Sequence, residues 1–295
     1  MIADAQSPSS ETRRPPPSLR EIVRSPAFVP GLVAIVAVAA CFWPLWRMLP
    51  ALWLSKDQYY THGFLVPLIS AYVVYRWWPD LRQIPVRGSL WALPFLLFML
   101  YVTWAGDVAD LGFVLSFTLV GVLITGAWFV AGGRWAVRLA LPAAYLLFAM
   151  PIWTFAIDRY TAPLEQLSAK VSFHMLQIVG LGPEMVSKTD IILPHYQFQV
   201  ALACSGFKLL IAVTAFTAFF MMISKLSWWR NLAMVVVVLP LCLFINSLRV
   251  TLIGLVGEFQ GEAAAHTFHD WSGYITLLLC FYLLFRYARW LGWKD

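Results

Sequence analysis

Eight apolar stretches, near residues 28–48, 62–79, 89–105, 111–131, 138–156, 203–223, 231–253 and 271–290, leave few folds open to this chain. A helix needs about 20 residues to cross a hydrocarbon core of about 30 Å, and each stretch is close to that length. Lipid offers the backbone no hydrogen bonds, so a spanning segment must satisfy its own, as a helix does. The expected fold is an all-α, polytopic membrane bundle of about eight spans. Pro67 and Pro94 interrupt the second and third stretches, which are also the shorter ones.

Composition agrees: 61% of the residues are hydrophobic and only 12% are charged, proportions that a soluble globular protein does not have. Residues 1–27, with their Ser, Pro and Arg and the run Pro15-Pro16-Pro17, cannot bury a core and read as a flexible tail. That tail is long and a full span follows it, so it reads as part of a retained anchor and not as a cleaved leader. With the tail in the cytoplasm, fourteen of the 21 basic residues fall on inner segments, among them Arg82, Arg87, Arg134, Arg138, Arg230 and Arg289. This asymmetry sets the orientation and accounts for the net charge of +6 without a nucleic-acid partner.

The two domains expected are the tail, 1–27, and a transmembrane domain, 28–295, with an outer insertion near 157–202. Within the insertion Tyr160, Leu164, Leu167, Val171, Met175 and Ile178 recur at helical spacing opposite Glu165, Gln166 and Lys170. That pattern fits an amphipathic helix, either lying in the interface or packed over the bundle. Beyond Gly180-Leu181-Gly182-Pro183, two short runs around Pro194-His195 (190–193 and 197–200) read as a β-hairpin that delivers the chain to Cys204. No internal repeat suggests a transporter built from two halves.

Three residues are out of place for a purely structural bundle. Arg249 lies inside an apolar stretch, where a charge costs a few kcal/mol unless it is solvated by the protein or snorkels to the headgroups. Asn246, one turn earlier, could brace it. His269 follows Gly254, Gly257, Glu258, Gly261 and Glu262, which read as a compact outer loop, and titrates in the range useful for proton transfer, with His266 as a competitor. Cys204 stands at the start of an apolar run, whereas Cys41, Cys242 and Cys280 lie within such runs and read as small core fillers. In apolar surroundings a thiol is inert; beside a guanidinium or an imidazolium it becomes a nucleophile. Lys208, one turn after Cys204, adds to the positive field or snorkels outward. The cysteines have no spacing that suggests a metal, and no cofactor is expected.

These residues stand in segments that resemble the exosortase family: Ala203-Cys204-Ser205-Gly206, then Asn246-Ser247-Leu248-Arg249-Val250, then His269-Asp270-Trp271-Ser272-Gly273-Tyr274. Earlier in the chain, Tyr60-Thr61-His62-Gly63 is similar to the family's Tyr-Ser-His-Gly segment. The resemblance implies a cysteine transpeptidase or protease with Cys204, Arg249 and His269 as its triad. Asn246, Ser205, Lys208 and His62 would be supporting residues. The implied partners are secreted proteins that end in a short motif such as Pro-Glu-Pro, an apolar span and a basic cluster. They would be cut at the outer face of a bacterial inner membrane. Phe207-Lys208 departs from the family's usual Leu-Arg, which leaves the recognition motif open. From another class, a membrane acyltransferase or polysaccharide-assembly component could also use Arg249 and His269, but would have no need of Cys204.

Overall fold

A computed structural model describes residues 28–54, 59–201, 205–224 and 226–293. The tail read over residues 1–27, and with it Cys204, falls outside the described residues. The chain forms two compact units, Met1–Trp43 and Pro44–Asp295. The first holds helix α1, Phe28–Cys41. Helix α2, Trp43–Leu54, leads into the second unit. The first apolar stretch, read as one run over 28–48, is thus two helices.

The second unit continues with α3 (Leu65–Leu81), α4 (Leu93–Val108), α5 (Gly112–Ala131) and α6 (Gly133–Tyr145). After α7 (Thr154–Val179) comes a small sheet, and then α8 (Phe207–Ile223), α9 (Trp228–Gln260) and α10 (Glu262–Trp290). The architecture is all-α apart from that sheet. Among the described residues four helices are long and apolar enough to cross a membrane, or six if each of two bent helix pairs counts as one span. Helices α3 and α8 have 17 residues each, about 26 Å of rise, slightly short of a hydrocarbon core.

The stretch read as one span over 138–156 breaks at Pro151, which has no N–H to continue a helix. A 3-10 turn, Leu146–Ala149, closes the α6 segment, and α7 leaves it at 60°. At the other end of the unit α9 has 33 residues and α10 begins two residues later, with only Gly261 (φ +85°) between them. The segment read as a loop over 254–262 is therefore helical nearly throughout, and His269 lies on a helix.

The glycines in that segment have another use. The sheet runs β1 (Glu184–Met185), β2 (Asp190–Ile192), β3 (Gln197–Gln199), all antiparallel, with Ile191 opposite Phe198. It contains the expected hairpin and adds β1. Its rings lie on the C-terminal turns of α9: Phe198 comes within 3.0 Å of where a Cβ on Gly254 would stand, and Tyr196 would collide with one on Gly257. Glu258 completes the attachment by accepting the His195 backbone N–H (3.0 Å) and pairing with its ring (2.7 Å). Beneath the sheet, Ile191, Leu193 and Val200 pack with Ala169 and Leu176 of α7 and Val250 of α9.

Helix α7 turns a stripe of small and polar residues inward. Its buried face is Thr161, Glu165, Ser168, Ala169, Ser172 and Leu176, whereas Tyr160, Leu167 and Ile178 are exposed beside Asp158, Arg159, Lys170, His174 and Gln177. It packs over the bundle through its polar stripe, and its mixed exposed side suits an interfacial helix. A second core joins α8, α9 and α10 through Val213, Phe220, Met234, Val238, Cys242 and Leu284.

The turn before α3 is tied to the α6–α7 bend. The Trp53 indole donates to the Ala149 carbonyl (2.8 Å), and the Tyr60 hydroxyl accepts the Trp153 N–H (3.2 Å). His62 lies in this turn with a buried Nε2 that has no hydrogen-bond partner. Burial pushes its pKa down to about 4, the Phe148 backbone carbonyl opposes the shift, and the Lys208 charge adds to it.

The unfolded chain binds a proton at His62 near pH 6.5 and the folded chain only near pH 4, so between these values acid favours unfolding and above them this group has no effect. The thermal midpoint of the wild type should therefore fall more steeply from pH 6.5 to pH 4 than that of His62→Gln; equal slopes would contradict the burial. Gly257→Ala should lower stability by about 1–3 kcal/mol through the overlap with Tyr196. Gly126→Ala, where a Cβ meets nothing within 4 Å, should be neutral or raise it by up to about 1 kcal/mol in the same thermal scan.

Candidate functional site

The site is assembled on α9. Gly206 stands before the first turn of α8 with φ +82°, a left-handed conformation that favours glycine. A Cβ there would stand 2.9 Å from Cγ of Asn246, so the Ser205-Gly206 turn lies directly on α9. Cys204, one peptide bond earlier in the chain, is outside the described residues.

Ser205 is almost fully buried, and its hydroxyl accepts the Phe207 N–H (3.3 Å). Its carbonyl accepts the Ser168 hydroxyl of α7 (3.4 Å), and the Ser168 hydroxyl in turn accepts an N–H from the buried Asn246 side chain (3.2 Å). One turn further along α7, Ser172 donates to the Ser247 carbonyl (2.9 Å). Asn246 thus braces the turn that carries Ser205. Ser168 and Ser172 were not singled out from the sequence, although their i, i+4 spacing on the polar stripe is the signal that finds them.

Arg249 is one turn beyond Asn246, a rise of about 4.5 Å. Its Nε donates to the Ser272 hydroxyl (2.9 Å) and its Nη2 to the His269 carbonyl (3.0 Å). Ser272 also donates to that carbonyl (3.2 Å). In the segment His269 to Tyr274, then, Ser272 and the His269 carbonyl receive the arginine, while Trp271 and Tyr274 are exposed. The role of Ser272 was not legible from the sequence.

The bonds from Arg249 hold His269 by its backbone. The His269 side chain is 36% exposed, with Nδ1 at 3.4 Å from the exposed Asp270 carboxylate. His266 is 75% exposed and pairs at 3.7 Å with Glu262, so it faces the surface. Glu258 is spent on the hairpin. Lys208, in the first turn of α8, is close enough to His62 for its charge to act on the ring. Tyr59, just before the His62 turn, meets Phe207 edge to face at 6.0 Å between ring centres.

A small crevice of about 10 Å³, room for a single water at most, lies beside Ser205 and Gly206, walled by Leu164 of α7, Leu210 of α8 and Cys242 and Leu243 of α9. Among the described residues no three His, Cys, Asp or Glu side chains lie close enough to hold a metal ion.

The structure therefore brings Arg249 and His269 together on adjacent helices, with Asn246, Ser205 and Gly206 at the neighbouring turn of α9. His62 and Lys208 come together on the other side of the Ser205-Gly206 turn. A carboxylate, an oxyanion or a peptide carbonyl could be received there by the guanidinium, and a proton by the imidazole.

No curated protein and no solved structure shows significant similarity to the chain. A family model described as transmembrane exosortase matches residues 53–286, a range that holds every candidate site residue. On that match, the chain is a multi-pass membrane protein that belongs to the transmembrane exosortase family.

Proposed function

We propose that this protein is a membrane-embedded cysteine transpeptidase or protease that removes C-terminal sorting signals from secreted proteins. The observation that carries this reading is the bond from Arg249 to the His269 carbonyl, one turn of α9 away from the contact between Gly206 and Asn246. Family membership supports the general class, a membrane enzyme of transpeptidase or protease type. The nucleophile, the substrate signal and the orientation are this proposal's own.

In the proposed reaction the Cys204 thiolate attacks the scissile carbonyl carbon to form a tetrahedral oxyanion. The C–N bond then breaks, leaving a thioester on Cys204, and His269 gives its proton to the departing amine. Water or an acceptor amine next attacks the thioester; His269 takes the proton released, and the thiolate leaves. Arg249 keeps its plane by bonding Ser272 and the His269 carbonyl, and from there it stabilises the oxyanion or a substrate carboxylate.

In this reading α3 and α8 also traverse the bilayer, giving eight crossings, with α7 and the sheet on the outer side. The substrate's apolar tail helix enters from the lipid, and its basic cluster stays inside. The site then faces the outer side of a bacterial inner membrane. No specific observation favours the acyltransferase or polysaccharide-assembly reading.

The test uses a secreted reporter ending in a Pro-Glu-Pro motif, an apolar helix and an arginine cluster, co-expressed with the full-length protein. Cys204→Ala should leave the reporter at full length in the membrane. Arg249→Lys should lower processing by about 10²–10³-fold, because one ammonium cannot reproduce the planar two-point contact with Ser272 and the His269 carbonyl. Normal processing by Cys204→Ala, or full function in Cys204→Ser, would overturn the cysteine mechanism.

A further inference from the structure

We propose that the end of the bundle near α6 holds a binding site for the phosphate of an anionic phospholipid, formed by Arg134 and Arg138. This inference is independent of the proposed reaction. Both arginines are exposed and line one broad concavity of about 410 Å³, together with Ile84, Gly133 and Val137. At i, i+4 they lie on one face of the helix, where like charges repel. Arg134 also stands in the first turn of α6, where the helix dipole disfavours a cation. Among the described residues neither has an ion-pair partner. Two exposed cations one turn apart, without a carboxylate partner, are suited to receive an anion between them.

The surrounding backbone makes the concavity a built surface. The loop before α4 lies along the end of α5, with Arg87 N–H donating to the Ala131 carbonyl (3.0 Å) and Ser89 N–H to that of Phe129 (3.1 Å). Gly132 (φ +100°) lets the α5–α6 turn press on the Arg87 carbonyl, where any Cβ would collide. The Trp135 indole donates to the Ile84 carbonyl (3.3 Å) and meets Trp78 edge to face at 6.2 Å. Ile84 is thereby held opposite the arginines.

The occupant is a lipid and not a free ion because the wall is apolar. Val137, between the two arginines in sequence, is 75% exposed, and Ile84 completes a surface that matches the first methylenes of an acyl chain. The tryptophans at this level are the residues that favour the headgroup zone. A basic concavity formed by one helix and an adjoining loop is suited to an anionic headgroup.

The test is a titration of phosphatidylglycerol into the full-length protein in a neutral detergent, read as the shift in thermal midpoint. Phosphatidylglycerol should stabilise the wild type saturably and phosphatidylcholine should not. Arg134→Gln with Arg138→Gln should raise the concentration for half-effect by roughly 30-fold. Arg286→Gln, at a basic residue that does not line the concavity, should leave that concentration unchanged. Should the double variant fail to fold, Arg138→Gln alone should still raise it by roughly fivefold. The proposal is overturned if phosphatidylcholine serves equally well, if inorganic phosphate gives the same saturable shift, or if Arg286→Gln weakens the lipid as much as Arg138→Gln does.

Discussion

A guanidinium inside a membrane bundle has to be solvated by protein, and the way Arg249 meets that demand organises the rest of the site. Two of its nitrogens bond α10, one to the Ser272 hydroxyl and one to the His269 carbonyl. The partner is a helix whose carbonyls are already committed, so the extra acceptor capacity of a single carbonyl and a single hydroxyl is used. The consequence is geometric as well as energetic. Helices α9 and α10 cannot slide past one another without exposing a charge, so His269 keeps its level relative to Arg249 and to the Asn246 turn below it.

The same economy recurs at the other polar contacts. Ser168 and Ser172 of α7 direct their hydroxyls to the Ser205-Gly206 turn and to α9, while Tyr160, Leu167 and Ile178 of the same helix are exposed. In a bilayer, apolar surface gains little by being turned inward, and polar groups gain much by finding one another. The result is a ladder of small polar residues that allows close approach of the helices around Ser205 and Gly206. Glycines serve the C-terminal end of α9 in the same sense, since Gly254 and Gly257 make room for the rings of Phe198 and Tyr196.

The sequence was informative wherever a residue type conflicted with its surroundings. Arg249 in an apolar stretch and His269 in a polar opening to the last span stood out for that reason, and the structure joins them. The apolar stretches were legible as helices, but not their ends. Pro151 explains the break after α6, whereas the helical course through Gly254 and Gly257 went against local propensity because tertiary packing of the sheet overrides it. The apolar stripe of α7 was visible as a periodicity, yet its direction was not, because the outward environment, water or lipid, decides which face is buried. Ser272 had no signal of its own; it gains a role only once Arg249 stands opposite.

The central claim is that Cys204 forms a covalent bond to the substrate beside Arg249 and His269. Its most direct measurement is the mass of the protein after brief reaction with a synthetic peptide carrying the sorting motif, followed by digestion and localisation of the adduct. The account predicts a hydroxylamine-sensitive acyl group on the peptide containing Cys204, equal in mass to the segment N-terminal to the cleavage point. Cleavage of the peptide with no adduct at Cys204, or with the acyl group on another residue, would contradict it.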